Sequence, residues 1–202
     1  MHPAIVAHAA ATAQSMLEGR FFLGVGTGEN LNEHITGAKW PALATRRAML
    51  DEAIELMRLM WTSSPASYKG EHYQISQAYC EPRPNPIPPV MIGGHGEKYL
   101  LRCVAEHADW WNYSFRDMPT YVQKQEALKA HCLTVKRDYD SIEQVGARAL
   151  NDIHLIGTPA QVTDTVLAVI KQGARRLTVN FADVPNPEGT WLFASTVLPQ
   201  LA

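Results

Sequence analysis

At 202 residues, with 46% hydrophobic and 19% charged side chains, the chain has the balance of one globular domain and not of a disordered segment. A net charge of −2 without any basic run argues against nucleic acid as a partner. No apolar stretch is long enough to span a bilayer, and the first residues lack the charged-then-apolar pattern of a signal peptide, so no membrane is expected.

Taken in chain order, the sequence alternates helices with strands. Pro3 suits a first helical turn, Ile5, Ala9, Ala13 and Met16 recur at helical spacing, and Gly19 is a natural stop. A buried strand, Phe21 to Val25, follows. The next helix, Arg46 to Trp61, carries Leu50, Ala53, Ile54, Met57, Met60 and Trp61 on one face. A hairpin-like Tyr68 to Tyr73 leads to prolines at 82, 84, 86, 88 and 89, a stretch that is neither helix nor central strand. Strand Val90 to Gly93, helix Glu97 to His107 and strand Trp110 to Tyr113 come next. Trp110 and Trp111 alternate, so one faces inward and the other the helix layer. Tyr121, Leu128, Cys132, Val135 and Tyr139 mark a long helix.

Ala147 to Ile156 reads as extended and ends at Gly157. Thr158-Pro159-Ala160-Gln161 combines an N-cap, a proline at the first helical position and a glutamine three residues after the cap. Val162, Val166, Val169 and Ile170 form that helix's stripe, and Gly173 closes it. Strand Leu177 to Phe181 and a helix from about Thr190 to Leu201 finish the chain. Strands separated by helices imply one α/β domain over 1–202 with a parallel sheet.

The richest segment is Arg20 to His34. Its strand runs into glycines at 24, 26 and 28, and Glu29 follows at once. Glycine lets the backbone take positive φ and approach a ligand, and carboxyl ends of strands are where α/β sheets hold their chemistry. The dinucleotide fingerprint does not fit, because Glu29 stands at the third glycine position and no helix follows. Two readings stay open: a cofactor turn or a merely structural one. Gly93-Gly94-His95 poses the same choice, between an anion site before a helix and a tight turn. His34 and His95 both follow glycine-rich strand ends and are candidate ligand contacts. The remaining histidines show no metal-ligand spacing, so no metal is expected. Cys80, Cys103 and Cys132 form no Cys-x-x-Cys pair, which favours reduced thiols in a cytoplasmic protein.

Gly26-Thr27-Gly28-Glu29-x-Leu31-Asn32-Glu33-His34 resembles the signature of the coenzyme F420-dependent oxidoreductases of the luciferase-like monooxygenase superfamily. The first helix, Arg46 to Trp61, Tyr68 to Tyr73, Pro89 to Lys98, Ala108 to Asn112 and Gly157 to Val162 match that superfamily in order. The resemblance implies a (β/α)8 barrel. A complete barrel typically needs about 250 residues, so the five strands expected here look like its fourth to eighth, in a fragment or a natural short form.

What the resemblance implies about chemistry is a hydride transfer between F420 and an alcohol, aldehyde or sugar phosphate. Glu29 takes the general acid role and needs a raised pKa for it. Gly26, Thr27, Gly28 and Asn32 bind the ring; Gly93, Gly94 and His95 hold the cofactor phosphate. Gly26, Glu29, Gly93, Gly94 and Asn112 are expected on one rim. The family's histidine base and nonproline cis peptide belong to strands that precede those matched. The alternatives are an FMN-dependent monooxygenase and a truncated, non-catalytic remnant; a homodimer is implied throughout.

Overall fold

A computed structural model describes residues 1–29, 37, 39–114, 117–147, 158–179 and 187–201. Five parallel strands form one sheet: β1 (Leu23–Val25), β4 (Val90–Gly93), β5 (Trp110–Ser114), β6 (Glu143–Ala147) and β7 (Ala174–Thr178). Their spatial order is their chain order, with β2 (Ala66–Lys69) and β3 (Gln74–Ala78) set apart as an antiparallel hairpin. Helices α2 (Leu43–Thr62), α3 (Leu100–His107), α4 (Met118–Thr134) and α5 (Pro159–Lys171) fall between successive parallel strands. A doubly wound sheet reverses its strand order at a switch point; this one never does, which is the winding of a barrel.

The α1 helix (Pro3–Met16) is capped by the His2 side chain and buries Pro3, Ala7, Ala10, Ala11 and Gln14. The expected stripe lies on the other side, with Ile5 and Met16 exposed. In so alanine-rich a helix apolar spacing barely distinguishes the faces, and close packing chooses the small one. That choice lets the Trp61 indole of α2 reach the backbone and donate to the Ala7 carbonyl at 3.0 Å. Gln14 is fully buried and satisfied at both ends, accepting from the Phe21 N–H and donating to the Pro86 carbonyl.

The α2 face is as expected, with Leu56 added to it. On α5 the capping box forms, but Thr163 is buried and Ile170 exposed, shifting the stripe by one residue. The hydroxyl of Thr163 bonds to the Pro159 carbonyl, so burial leaves it paired. Strands β6 and β7 each begin three or more residues before the extended segments expected at 147–156 and 177–181. Charged residues at their starts (Glu143, Arg175, Arg176) hid them, and residues 148–157 and 180–181 lie outside the described set. The last helix begins at Glu188 and passes through a π turn (Phe193–Val197) into a short 3₁₀ turn (Leu198–Gln200).

Trp111 and Tyr113 of β5 are buried on the helix side, where Trp111 stacks on Tyr121 of α4 with centroids 6.1 Å apart. Trp110 points to the opposite, inner face, beside Phe22 and beneath the Arg176 guanidinium. The expected alternation of the two indoles is therefore observed.

One carboxylate organises the hairpin. Glu52 of α2 accepts the N–H groups of Glu71, His72 and Tyr73 at 2.8–3.2 Å. Gly70 is required there, because a Cβ would stand 2.1 Å from Glu52 Oε2. Desolvation opposes ionisation of Glu52, but the three backbone donors outweigh it and hold its pKa below the usual carboxylate value. A depressed carboxyl stabilises above its unfolded pKa, and that contribution fades as pH falls through the folded value. Glu52→Ala is expected to cost about 1–3 kcal/mol in urea denaturation. Acidification below the ordinary carboxylate range should lower the protection of the amides at residues 71–73, measured against the unstructured exchange rate at the same pH, in the parent and not in the variant.

Candidate functional site

Strand register sets the site. Because β1, β4 and β5 are parallel and paired Val25↔Ile92 and Gly93↔Asn112, Gly26 just after β1 stands level with Gly93, the last residue of β4, and with Asn112 in the middle of β5. Glu29 follows β1 and Gly94 follows β4, so the two lie beyond the same end of the sheet.

Of the glycines at 24, 26 and 28, only Gly28 has a positive φ, +74°. Neither Gly24 nor Gly26 has a positive φ, and a Cβ on Gly26 would meet nothing within 4 Å. The turn is held from α2. Arg46 Nη1 donates to the carbonyls of Thr27 (2.9 Å) and Gly28 (3.0 Å), Nε donates to Pro41 (3.1 Å), and the guanidinium lies 4.2 Å over the Trp40 ring. Gly26, Thr27 and Gly28 line a groove of about 610 Å³ with Trp40, Arg46 and apolar residues of α1, β1 and α2. Glu29 is exposed. Asn32, Glu33 and His34 lie outside the described residues.

The turn after β4 is built differently. Gly94 has φ +125°, and a Cβ there would stand 2.2 Å from Leu100 Cδ2. Its N–H donates to the Asn112 carbonyl (3.0 Å) and its carbonyl accepts from Trp111 Nε1 (2.9 Å). The Gly94 amide is therefore committed to the sheet and is not a free donor for a phosphate, which corrects that part of the expected anion cradle. His95 rests edge-on to Tyr113, and Glu97 is tied to Lys124, Gln123 and His131 of α4. Gly93, Gly94 and His95 share the rim of the Gly26–Gly28 turn without lining its groove. Between the two turns, Asn112 Oδ1 is buried with no hydrogen-bond partner among the described residues.

Arg46 and Trp40 were not singled out by sequence patterns, although one signal existed. Arg46 sits near the start of α2, where the helix dipole disfavours a cation and no acidic residue stands in the first turn. A cation kept in that position points to partners elsewhere.

Other charged groups are accounted for structurally. At the amino ends of the strands a depression of about 400 Å³ is lined by Arg58, Asp109, Trp110, Glu143 and Arg175. Two ion pairs, Arg58–Asp109 and Arg176–Glu143, neutralise most of its charge. Among the described residues Asp51, Glu106 and His107 bring potential ligand atoms within 4.8 Å of one another, a convergence invisible in the sequence spacing. Arg102 already pairs with Glu106 at 2.8 Å and opposes a second cation there. The cysteines are free and buried; burial pushes all three thiols up, with Asp51 adding to the effect at Cys103.

A singly wound parallel sheet with a glycine turn and a carboxylate at its carboxyl rim is the framework of a barrel-type α/β protein. The luciferase-like monooxygenase family model matches residues 1–145, and the chain belongs to that family. It is similar to F420-dependent glucose-6-phosphate dehydrogenase of Segniliparus rotundus, 45% identical over 96 residues, covering 47% of this chain and 29% of that protein. The enzyme of the same name from Gordonia bronchialis is 42% identical over 148 residues, covering 71% of this chain and 44% of the other. The chain thus spans less than half the length of these relatives. Among solved structures, an F420-dependent secondary alcohol dehydrogenase in complex with an F420-acetone adduct superposes with a TM-score of 0.84 at 18% identity. That match covers 99% of this chain and 75% of the other, a likeness of fold.

The two glycine turns give contrasting expectations. Gly26→Ala should leave folding stability within about 1 kcal/mol of the parent, since space and φ permit a side chain. Gly94→Ala should destabilise by at least ~2 kcal/mol through backbone strain and overlap with Leu100. Urea denaturation of both variants checks this; equal stabilities would show the two turns to be equivalent.

Proposed function

We propose that the chain serves a coenzyme F420-dependent oxidoreductase, passing a hydride between the deazaflavin and a small alcohol, aldehyde or sugar phosphate. The observation that carries this reading is the Gly26-Thr27-Gly28-Glu29 turn at the carboxyl end of β1, level with Gly93 and Asn112. Relatives at 42–45% identity that carry the F420-dependent glucose-6-phosphate dehydrogenase name support it.

Two features suit a flat ring with a polar edge. Gly26 offers open space where a side chain would stand, and Asn112 Oδ1 is a buried acceptor without a donor among the described residues. When bound, F420 supplies two-electron hydride chemistry. The chain's own tasks are to bind, orient and move a proton. On this reading Gly26, Thr27, Gly28 and Asn32 bind the ring, and Glu29 delivers or accepts the proton at its carboxyl. Gly93 and Gly94 permit close backbone approach of the cofactor's phosphate side, with His95 as the polar contact. Because Glu29 is exposed, bound ligand must supply its cover. A cytoplasmic homodimer belongs to the same reading. The free, buried cysteines suit a reducing compartment, and exposed Ile5, Met16 and Leu17 offer apolar surface to a second subunit.

Titration with F420 and with FMN tests the cofactor. F420 is expected to bind more tightly, and a preference for FMN would move the chain to the family's oxygenases. Glu29→Gln keeps size and most hydrogen bonding but exchanges no proton. Single-turnover F420 reduction should slow about 10²–10⁴-fold with affinity nearly unchanged. An equally fast chemical step would make Glu29 a turn residue.

A further inference from the structure

We propose that Arg46 is the positioning residue of this site: it fixes two peptide planes so that the N–H groups of Gly28 and Glu29 are presented together on the face opposite its guanidinium. The consequence for cofactor binding rests on the F420 reading, whereas the geometry stands independently of it.

In an extended chain successive carbonyls point to opposite sides. The left-handed φ of Gly28, +74°, turns the Thr27 and Gly28 carbonyls the same way, and one nitrogen, Arg46 Nη1, collects both at 2.9 and 3.0 Å. A trans peptide holds its C=O and following N–H antiparallel across a rigid plane. With both carbonyls on Arg46, the N–H groups of Gly28 and Glu29 face away from it. Bonds from a cation to the carbonyls also polarise these peptides, making the two N–H groups stronger donors. Two adjacent, aligned donors form a fixed seat for an acceptor edge or an anion. On the F420 reading they take the acceptor edge of the ring and set where Glu29 leaves the backbone.

The arginine is itself fixed. The Pro41 carbonyl holds Nε at 3.1 Å and Trp40 covers the guanidinium plane at 4.2 Å. The helix dipole works against a cation so near the start of α2, so these contacts outweigh an unfavourable local placement. Lysine reproduces the charge, but not a fork that reaches Pro41, Thr27 and Gly28 while stacked on a ring.

Arg46→Lys tests the assignment in four measurements: amide shifts and hydrogen exchange at Gly28 and Glu29, F420 affinity, single-turnover rate, and the urea midpoint. The expected result is altered shifts and, with the polarisation lost, slower exchange at those two amides with the midpoint unchanged. F420 affinity should fall roughly tenfold, the loss of about one well-aimed hydrogen bond. The rate per bound cofactor should fall about 10²-fold, the cost of misplacing a reacting group. Unchanged amides would overturn the proposal. So would a lowered midpoint, or failure to fold, with affinity and rate per bound cofactor intact where measurable, since Arg46 would then only anchor α2. If the parent chain binds no F420, the F420 reading falls, and the amide measurements still decide for or against Arg46.

Discussion

The carboxylate of Asp109 sets the alignment on which the site depends. Its Oδ2 accepts from Arg58 of α2 and from the Val90 N–H, both at 2.8 Å. Its backbone donates to Val90 and accepts from Glu143. One residue just before β5 therefore joins the amino ends of three strands to a helix. The ion pair is partly solvated and contributes little by charge alone; its value lies in register. Three residues beyond Asp109, Asn112 stands opposite Gly93. A slip of one residue would exchange the faces of Trp110 and Trp111, driving one indole out of the core and the other into it.

From that alignment the rim is built by two unlike turns. The turn after β4 is locked into the sheet and the aromatic layer: Gly94 bonds to both Trp111 and Asn112, and its φ excludes other residues. The turn after β1 makes few demands of its own backbone and takes its shape from a helix cation. Behind the sheet, Gln144 accepts from Tyr121 and Gln125 and donates to Tyr139, so a buried amide ties β6 to α4 with its hydrogen bonds satisfied. Burial is the main cause that raises the Tyr139 hydroxyl to about 12, which keeps it a neutral partner in that network.

Much of this was legible in the chain itself. Val90–Gly93 and the capping box at Thr158 appear as expected because strand hydrophobicity and cap chemistry are local signals. What was not legible depended on partners far away in sequence. The inward face of α1 is chosen by the reach of Trp61, β6 and β7 begin with charges that pair across strands, and the commitment of the Gly94 amide appears only once Asn112 lies beside it. Arg46 is the same case, since two carbonyls eighteen and nineteen residues earlier explain it.

The opposed settings of Trp110 and Trp111 give the molecule two built-in optical probes separated by a single peptide bond. Trp111 is wholly shielded and hydrogen-bonded to the Gly94 carbonyl, so its emission should be blue-shifted and should respond to movement of that turn. Trp110 lies half-buried on the inner face against Phe22 and the Arg176 cation, where its emission should be redder and more accessible to small quenchers. Adjacent in sequence and opposite in solvent, the pair turns the pleat of one strand into a spectroscopic contrast between the core and the open inner face of the sheet.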